Sequence, residues 1–299
     1  GRSHDAIRPC PGAIASWHHV RRRNAKDFAR LARRIFGRAV GIVLGGGGAR
    51  GFAHIGLLRA LEEIGMAIDF VGGTSMGAII GAQYAAGYTH TQMIELARES
   101  YLGRTHPSEF SLPYVSIHNG SGTNRRLKRM FGNLRIEDLP TPYFCVSSNL
   151  STAEPVVHEI GILWLATRCS CSVPGLLPPV RRRGDFLVDG GLLENLPVVA
   201  MRNRCRGQVI AADVSVAFDL KGNAARSSHW RVRRRLSGLL APPRMPGIAS
   251  ILTRTVTLAS VRDARNAGTP ADRYLHPPVD DIAMSDFARL DEIVERGAR

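Results

Sequence analysis

The chain has 299 residues and carries 40 Lys and Arg against 25 Asp and Glu, a formal net charge of +15. Hydrophobic residues make up 44%, enough for a sizeable core, so a disordered or fibrous chain is excluded. No run approaches the roughly 18 apolar residues of a membrane span, and no signal-peptide core lies near the start.

Five cysteines (Cys10, Cys145, Cys169, Cys171 and Cys205) are odd in number and lack C-x-x-C spacing. That argues against a disulfide framework or a zinc site and suits the reducing cytoplasm. The charge favours an anionic partner, either a phospholipid surface or a nucleic acid, and does not itself choose between them. The first residue is Gly1 and not Met, as expected of a piece of a longer protein.

Residues 1–38 read as a basic arm or linker. Arg21, Arg22, Arg23, Lys26, Arg30, Arg33, Arg34 and Arg38 are balanced there by little beyond Asp27. Phe28, Leu31, Ala32, Ile35 and Phe36 recur at helical spacing, an apolar stripe between basic faces. Two readings fit: a linker helix docked on its own domain, and a helix lying on an anionic membrane.

From Ala39 to the end the pattern is that of one α/β domain. Residues 40–44 are an apolar run ending in glycine, a buried strand. Residues 52–64 have helical periodicity (Ile55, Leu58, Leu61, Ile64) and stop at Gly65, a good helix terminator. Residues 69–72 are a second strand and 78–86 a helix. Further strands are expected at 143–147, 186–188 and 209–214, and a helical tail at 287–295. Alternating strands and helices point to a layered α/β fold. No internal repeat is present.

Gly73-Thr74-Ser75-Met76-Gly77 fits G-x-S-x-G, the turn that lifts a nucleophilic serine off the end of a strand. The apolar 70–72 before it and the helix after it supply the context that the motif requires. Small residues are needed at Gly73 and Gly77, because side chains there would collide across the bend.

Gly45-Gly46-Gly47-Gly48-Ala49-Arg50-Gly51 lies between the first strand and its helix. Successive glycines let backbone N–H groups converge at a helix N-terminus, a site for an anion. Gly46, Gly48 and Gly51 also fit G-x-G-x-x-G, the dinucleotide fingerprint, with Asp69 as its acid. Asp69, however, precedes its strand, whereas ribose recognition needs an acid at the strand's carboxyl end. An oxyanion hole uses the same donors and explains the adjoining elbow.

A nucleophilic serine needs a base. None of the ten histidines stands in a convincing late-chain loop. His54 is expected to be a satisfied structural residue and His276 to sit in a surface turn. Asp189 is the better candidate, at the end of an apolar strand and followed by Gly190 and Gly191, which allow close backbone approach.

Nest, elbow and Asp-Gly-Gly in this order resemble the patatin-like phospholipase family, from about Gly41 to Met201. The resemblance is greatest to its neuropathy-target-esterase branch, through 45–56 and Leu275-His276-Pro277-Pro278-Val279-Asp280. It implies a three-layer α/β/α fold with a mostly parallel central sheet over residues 39–299. It also implies a Ser–Asp dyad in which Ser75 attacks an ester carbonyl and Asp189 takes its proton. Gly46, Gly47 and Gly48 hold the oxyanion, Arg50 shapes that loop, and Gly51, Gly73, Gly77, Gly190 and Gly191 support the motifs. The implied substrate is a phospholipid or lysophospholipid, with no metal or other cofactor. Relatives in that branch often carry upstream cyclic-nucleotide-binding domains. The dyad depends on burial to raise the aspartate's pKa from its reference near 4.

Two more segments bear on the substrate. Residues 172–179, apolar and stiffened by prolines, line an acyl channel or form a buried connector. Residues 229–236 combine cations with Trp230, a solvated loop or a headgroup contact. Nucleic acid is disfavoured, because no recognition fold or stacking platform accompanies the charge. The expected protein is a serine lipid-ester hydrolase, cytoplasmic or peripherally attached to an anionic membrane. Rivals are a catalytically silent membrane-binding scaffold and an acyltransferase, the latter normally using a histidine base.

Overall fold

A computed structural model describes residues 20–103, 107–109, 115–215 and 271–299. Residues 1–19 of the basic arm and the cationic 229–236 lie outside the described residues. In chain order come α1 (Ala25–Ile35), β1 (Val40–Leu44), α2 (Ala53–Glu63), β2 (Phe70–Thr74), α3 (Met76–Ala85), α4 (His90–Tyr101) and α5 (Ser121–Phe131). They are followed by β3 (Tyr143–Asn149), β4 (Glu154–His158), α6 (Leu163–Ser170), β5 (Val180–Arg182) and β6 (Asp185–Asp189). The last are α7 (Val198–Arg202), β7 (Gln208–Ala212), β8 (Arg273–Leu275) and α8 (Leu290–Gly297). No described helix is long and apolar enough to cross a membrane.

The eight strands form one sheet whose hydrogen-bonded neighbours follow the path β5-β6-β3-β2-β1-β7-β8, with β4 on one edge of β3 and both β2 and β6 on the other. The β3-β2-β1-β7-β8 portion is parallel, and β4, β5 and β6 join by antiparallel pairings. Alternation along the strands sends side chains to two cores. Ile42, Leu44, Val71, Cys145, Ile210 and Ala212 face the larger one, shared with α2, α3, α6 and α8. Val43, Phe70, Phe144, Val146, Val209 and Ala211 face the smaller one, covered by α7. The layers are therefore unequal among the described residues, with most of the helix mass on one face.

The C-terminal segment belongs to this same body. β8 extends the sheet beyond β7, and α8 lies so close on α2 that a side chain on Gly56 would strike the Val294 carbonyl. The expected helical tail is thus a helix of the main core.

α1 docks on its own domain, but through its charged face. Asn24 caps it by accepting from the Lys26 and Asp27 N–H groups. Buried Asp27 pairs with Arg21 and Arg30, and Arg33 clasps Asp69 at 2.8 and 2.6 Å. Arg34 lies over the Phe70 ring at 5.2 Å. Of the expected apolar stripe, Phe28, Ala32, Ile35 and Phe36 point to solvent and Leu31 is half-buried. Ion-pair partners on the domain, not apolar burial, decide which face of this helix is inward.

Asp69 has no exposed surface and accepts from the Val40 N–H (3.1 Å) as well as from Arg33. It therefore ties α1, β1 and the entry to β2 together. Breaking a buried pair strands a charge, at about 3 kcal/mol or more. Arg33→Ala is expected to lower unfolding stability by that order in urea titration, with the slope unchanged. A loss below about 1 kcal/mol would show that the clasp holds nothing.

Candidate active site

β4 runs along one edge of β3 from Cys145 to Asn149. β2 occupies the other edge as far as the Thr74–Val146 pair, and β6 takes up that same edge at the Asp189–Ser147 pair. The two strands meet with their C-termini head to head. Ser75 leaves one of these ends and Asp189 the other.

The strand–turn–helix at Ser75 is formed as the motif predicts. Its backbone stands at φ 54°, ψ −123°, a conformation that costs a non-glycine residue of order 1–3 kcal/mol. Three contacts hold it there. The Ser75 N–H donates to Ser170 Oγ (3.0 Å), whose own hydroxyl donates to the Val146 carbonyl (2.6 Å), and the Cys171 thiol donates to the Ser75 carbonyl (3.2 Å). A Cβ on Gly73 would lie 2.6 Å from the Gly77 carbonyl oxygen. One on Gly77 would strike the carbonyls of Leu44 and Gly45, so its absence lets α3 sit on the end of β1.

Asp189 is buried, while Ser75 is partly exposed. Its Oδ1 accepts from the Gly191 N–H (2.8 Å), and its Oδ2 has no hydrogen-bond partner. Burial pushes the carboxyl up from 3.8 to about 6, against the opposing pull of the Ser75 hydroxyl and the Gly191 N–H. The hydroxyl is thus within electrostatic reach without closing a bond to Oδ2. Catalytic pairs are often this open before substrate tightens them. Gly190 is wedged into the junction: a Cβ there would strike the Val146 carbonyl and come within 2.9 Å of Thr74 Cγ2.

The glycine nest adjoins Ser75, since a Cβ on Gly46 would lie 3.0 Å from Ser75 Cβ. The structure narrows the expected donor set. The Gly46 N–H donates to Asn195 Oδ1, and Asn195 Nδ2 donates back to the Gly46 carbonyl, both at 3.2 Å. Gly46 therefore offers no free N–H. Those of Gly47 and Gly48 have no partner among the described residues. Gly48 needs its glycine, with φ +57° and the Met284 carbonyl packed against it. Gly51 lies against Met76, the residue after Ser75.

Arg50 is buried at the foot of this loop with Nε unpartnered. Burial lowers its pKa to about 10, opposed by Asp213 and Asp280, so it stays charged at neutral pH. His54 also serves the loop, its Nε2 hydrogen-bonded to the Gly45 carbonyl at 2.8 Å. Its Nδ1 is buried without a partner, so the histidine is only half satisfied, and burial holds its pKa down at about 4. Nε2 accordingly carries the proton and donates.

No described histidine hydrogen-bonds to Ser75 or Asp189. His276 pairs with Asp280 (3.3 Å) in an exposed turn. His158 is buried between Arg182, which donates to Nδ1 (3.0 Å), and Ser147 Oγ (2.7 Å from Nε2). Asp69, the acid of the dinucleotide alternative, is held by Arg33 where β2 begins, at the wrong end of the strand. The 172–179 segment is tied down beside Asp189, whose N–H donates to the Ser172 carbonyl (3.0 Å), while Arg168 donates to the Pro178 carbonyl (3.1 Å).

Sequence reasoning missed two supporting residues. Ser170 shows no local signal. Asn195 stands just after Asp-Gly-Gly, in Glu194-Asn195-Leu196-Pro197, a segment that itself resembles the family but gives this side chain no role.

Residues 42–202 match the family described as Patatin-like phospholipase. Similar curated proteins are Lysophospholipase NTE1 of Candida glabrata, 38% identical over 92% of this chain and 16% of that protein, and Lysophospholipase NTE1 of Saccharomyces cerevisiae, 36% identical over 92% and 17%. The chain thus spans about a sixth of the length of these relatives. Among solved structures it is similar to VipD from Legionella pneumophila, with 17% identity, 87% of this chain and 65% of that chain covered, and a TM-score of 0.44. On its matched residues, this chain belongs to the patatin-like phospholipase family.

Proposed function

We propose that the chain hydrolyses the acyl ester of a lysophospholipid or phospholipid with Ser75 as nucleophile and Asp189 as base. The observation that carries this reading is the pairing of a strained serine with a buried carboxylate whose free oxygen lies at the junction of β2 and β6. The name of the curated relatives favours the lysophospholipid.

Ser75 Oγ attacks the ester carbonyl carbon while Asp189 Oδ2 accepts its proton. The carbonyl oxygen becomes an oxyanion held by the Gly47 and Gly48 N–H groups, with charged Arg50 beneath the loop. Collapse expels the glycerol oxygen, which takes the proton from Asp189. Water then attacks the acyl-enzyme, giving its proton to Asp189, and as the fatty acid leaves Ser75 Oγ takes that proton back, which regenerates both groups. A carboxylate held at about 6 is a stronger base than an ordinary aspartate yet is mostly ionised at neutral pH. The apolar 172–179 segment beside Asp189 is the proposed acyl-chain wall, and an anionic membrane the proposed source of substrate.

Ser75→Ala and Asp189→Asn should each reduce hydrolysis of a short-chain chromogenic ester by at least about 10³-fold while keeping the wild-type circular dichroism spectrum. Full activity in either variant would remove that residue from the mechanism.

The acid limb of kcat/KM should bend near pH 6 as Asp189 loses its proton. The same shift makes the aspartate a liability for stability. Between 3.8 and about 6 the folded protein keeps a proton that the unfolded chain releases, so stability falls as pH rises through that window, by on the order of 3 kcal/mol. Asp189→Asn should therefore melt at or above wild type at neutral pH and below it at no pH in that window. A clearly lower melting midpoint would contradict the buried charge.

Asn195→Ala removes both ties on the Gly46 peptide. It is expected to lower kcat by about 10²-fold with a smaller change in KM, the cost of a misplaced oxyanion loop. An equal loss confined to KM would place Asn195 in substrate binding instead.

A further inference from the structure

The parallel strands start at the pole where α1 lies and end at the pole of Ser75. Its apolar stripe is therefore separated from the nucleophile by the length of a five-residue strand, about 16 Å. A membrane gripped by α1 would face away from the dyad. The Ser75 pole carries a different amphipathic surface.

The β3–β6 register ends at Asn149 and Leu187, so the β5–β6 turn projects past the last residue of β3. Across its base, Arg181 is paired with Phe186, and the Leu150 N–H donates to the Phe186 carbonyl (2.9 Å). Cross-strand neighbours share a face, so Arg181, Phe186 and Leu150 form one row over three strands. Phe186 is 49% exposed and Leu150 52%. Arg183, at φ 52°, forms the turn beside them. Arg182 turns the other way, onto His158. Among the described residues neither Arg181 nor Arg183 enters an ion pair.

We propose that this hairpin and Leu150 form a membrane-docking edge. Phe186 and Leu150 seat in the interface of an anionic phospholipid surface, and Arg181 and Arg183 meet the headgroup phosphates. Free cations framing two exposed apolar side chains are complementary to such a surface. The edge lies at the same pole as Ser75 and Asp189, so docking turns the dyad toward lipid. The use of that orientation rests on the ester-hydrolase reading; the docking itself does not.

The test is co-sedimentation of the full chain with phosphatidylcholine vesicles made with and without phosphatidylserine. R181Q/R183Q should cut partitioning onto phosphatidylserine vesicles by about 30-fold, roughly fivefold for each basic residue. F186S should cut it about tenfold on both vesicle types. F28S/F36S, on the opposite pole, should leave it unchanged, and all variants should melt with wild type and turn over a water-soluble ester at its rate. Hydrolysis of vesicle-borne lysophospholipid should fall with binding. Undiminished partitioning of R181Q/R183Q and F186S would overturn the proposal, as would loss in F28S/F36S alone. Inactivity of wild type on every ester, with the binding pattern intact, would defeat the hydrolase reading and leave the docking edge standing.

Discussion

Everything at the site depends on β2 and β6 sharing one edge of β3. A strand has two edges, and β4 fills the other along the upper half of β3. The remaining edge is divided between a parallel strand coming up and an antiparallel strand coming down. Their tips must turn aside where they meet, one into α3 and the other into the turn at Gly190–Leu192. The meeting point is tight. Gly190 and Gly77 stand where a methyl group would run into neighbouring carbonyls, so the two strand ends that carry Ser75 and Asp189 can adjoin. Without that head-to-head junction Ser75 and Asp189 would sit on two unrelated strand ends.

The junction stores free energy in two forms. Ser75 holds a disfavoured backbone conformation, and Asp189 holds a carboxyl oxygen out of water with nothing bonded to it. Each is opposed by a local frame. Ser170 and Cys171 hold the elbow from the side of α6, and the Gly191 N–H secures one carboxyl oxygen while leaving the other free. Asn195 adds a third tie, connecting the Asp-Gly-Gly turn to the glycine nest, so that both halves of the proposed chemistry are set by one side chain. The proposal that a carboxylate serves here without a histidine rests on its surroundings, not its intrinsic basicity, fixing its pKa.

The parts legible in the sequence are those written locally. A strand, a glycine nest, a helix, a second strand and a serine elbow follow one another between residues 40 and 85, each with its own signal in periodicity or glycine. The Asp-Gly-Gly turn is equally local. What stayed hidden depends on partners distant in sequence. Ser170 and Asn195 look ordinary until the fold brings them to Val146 and Gly46. The free donors of the nest could not be told from the occupied one, because occupancy is decided by Asn195. β5 and β8 are three residues each and too short for an alternation to show. The apolar stripe of α1 was visible, yet its direction was not. Asp69 and Pro140, which attract its arginines, lie far along the chain.

The central claim is that Ser75 is made nucleophilic by Asp189 across the β2–β6 junction. The most direct measurement is the rate of covalent labelling by a fluorophosphonate, followed by intact mass and peptide mapping, in wild type and in Asp189→Asn at neutral pH. The account predicts a single adduct on Ser75 that forms in wild type and is nearly abolished in the aspartate variant. An adduct on another residue, or equal labelling rates in the two proteins, would contradict it.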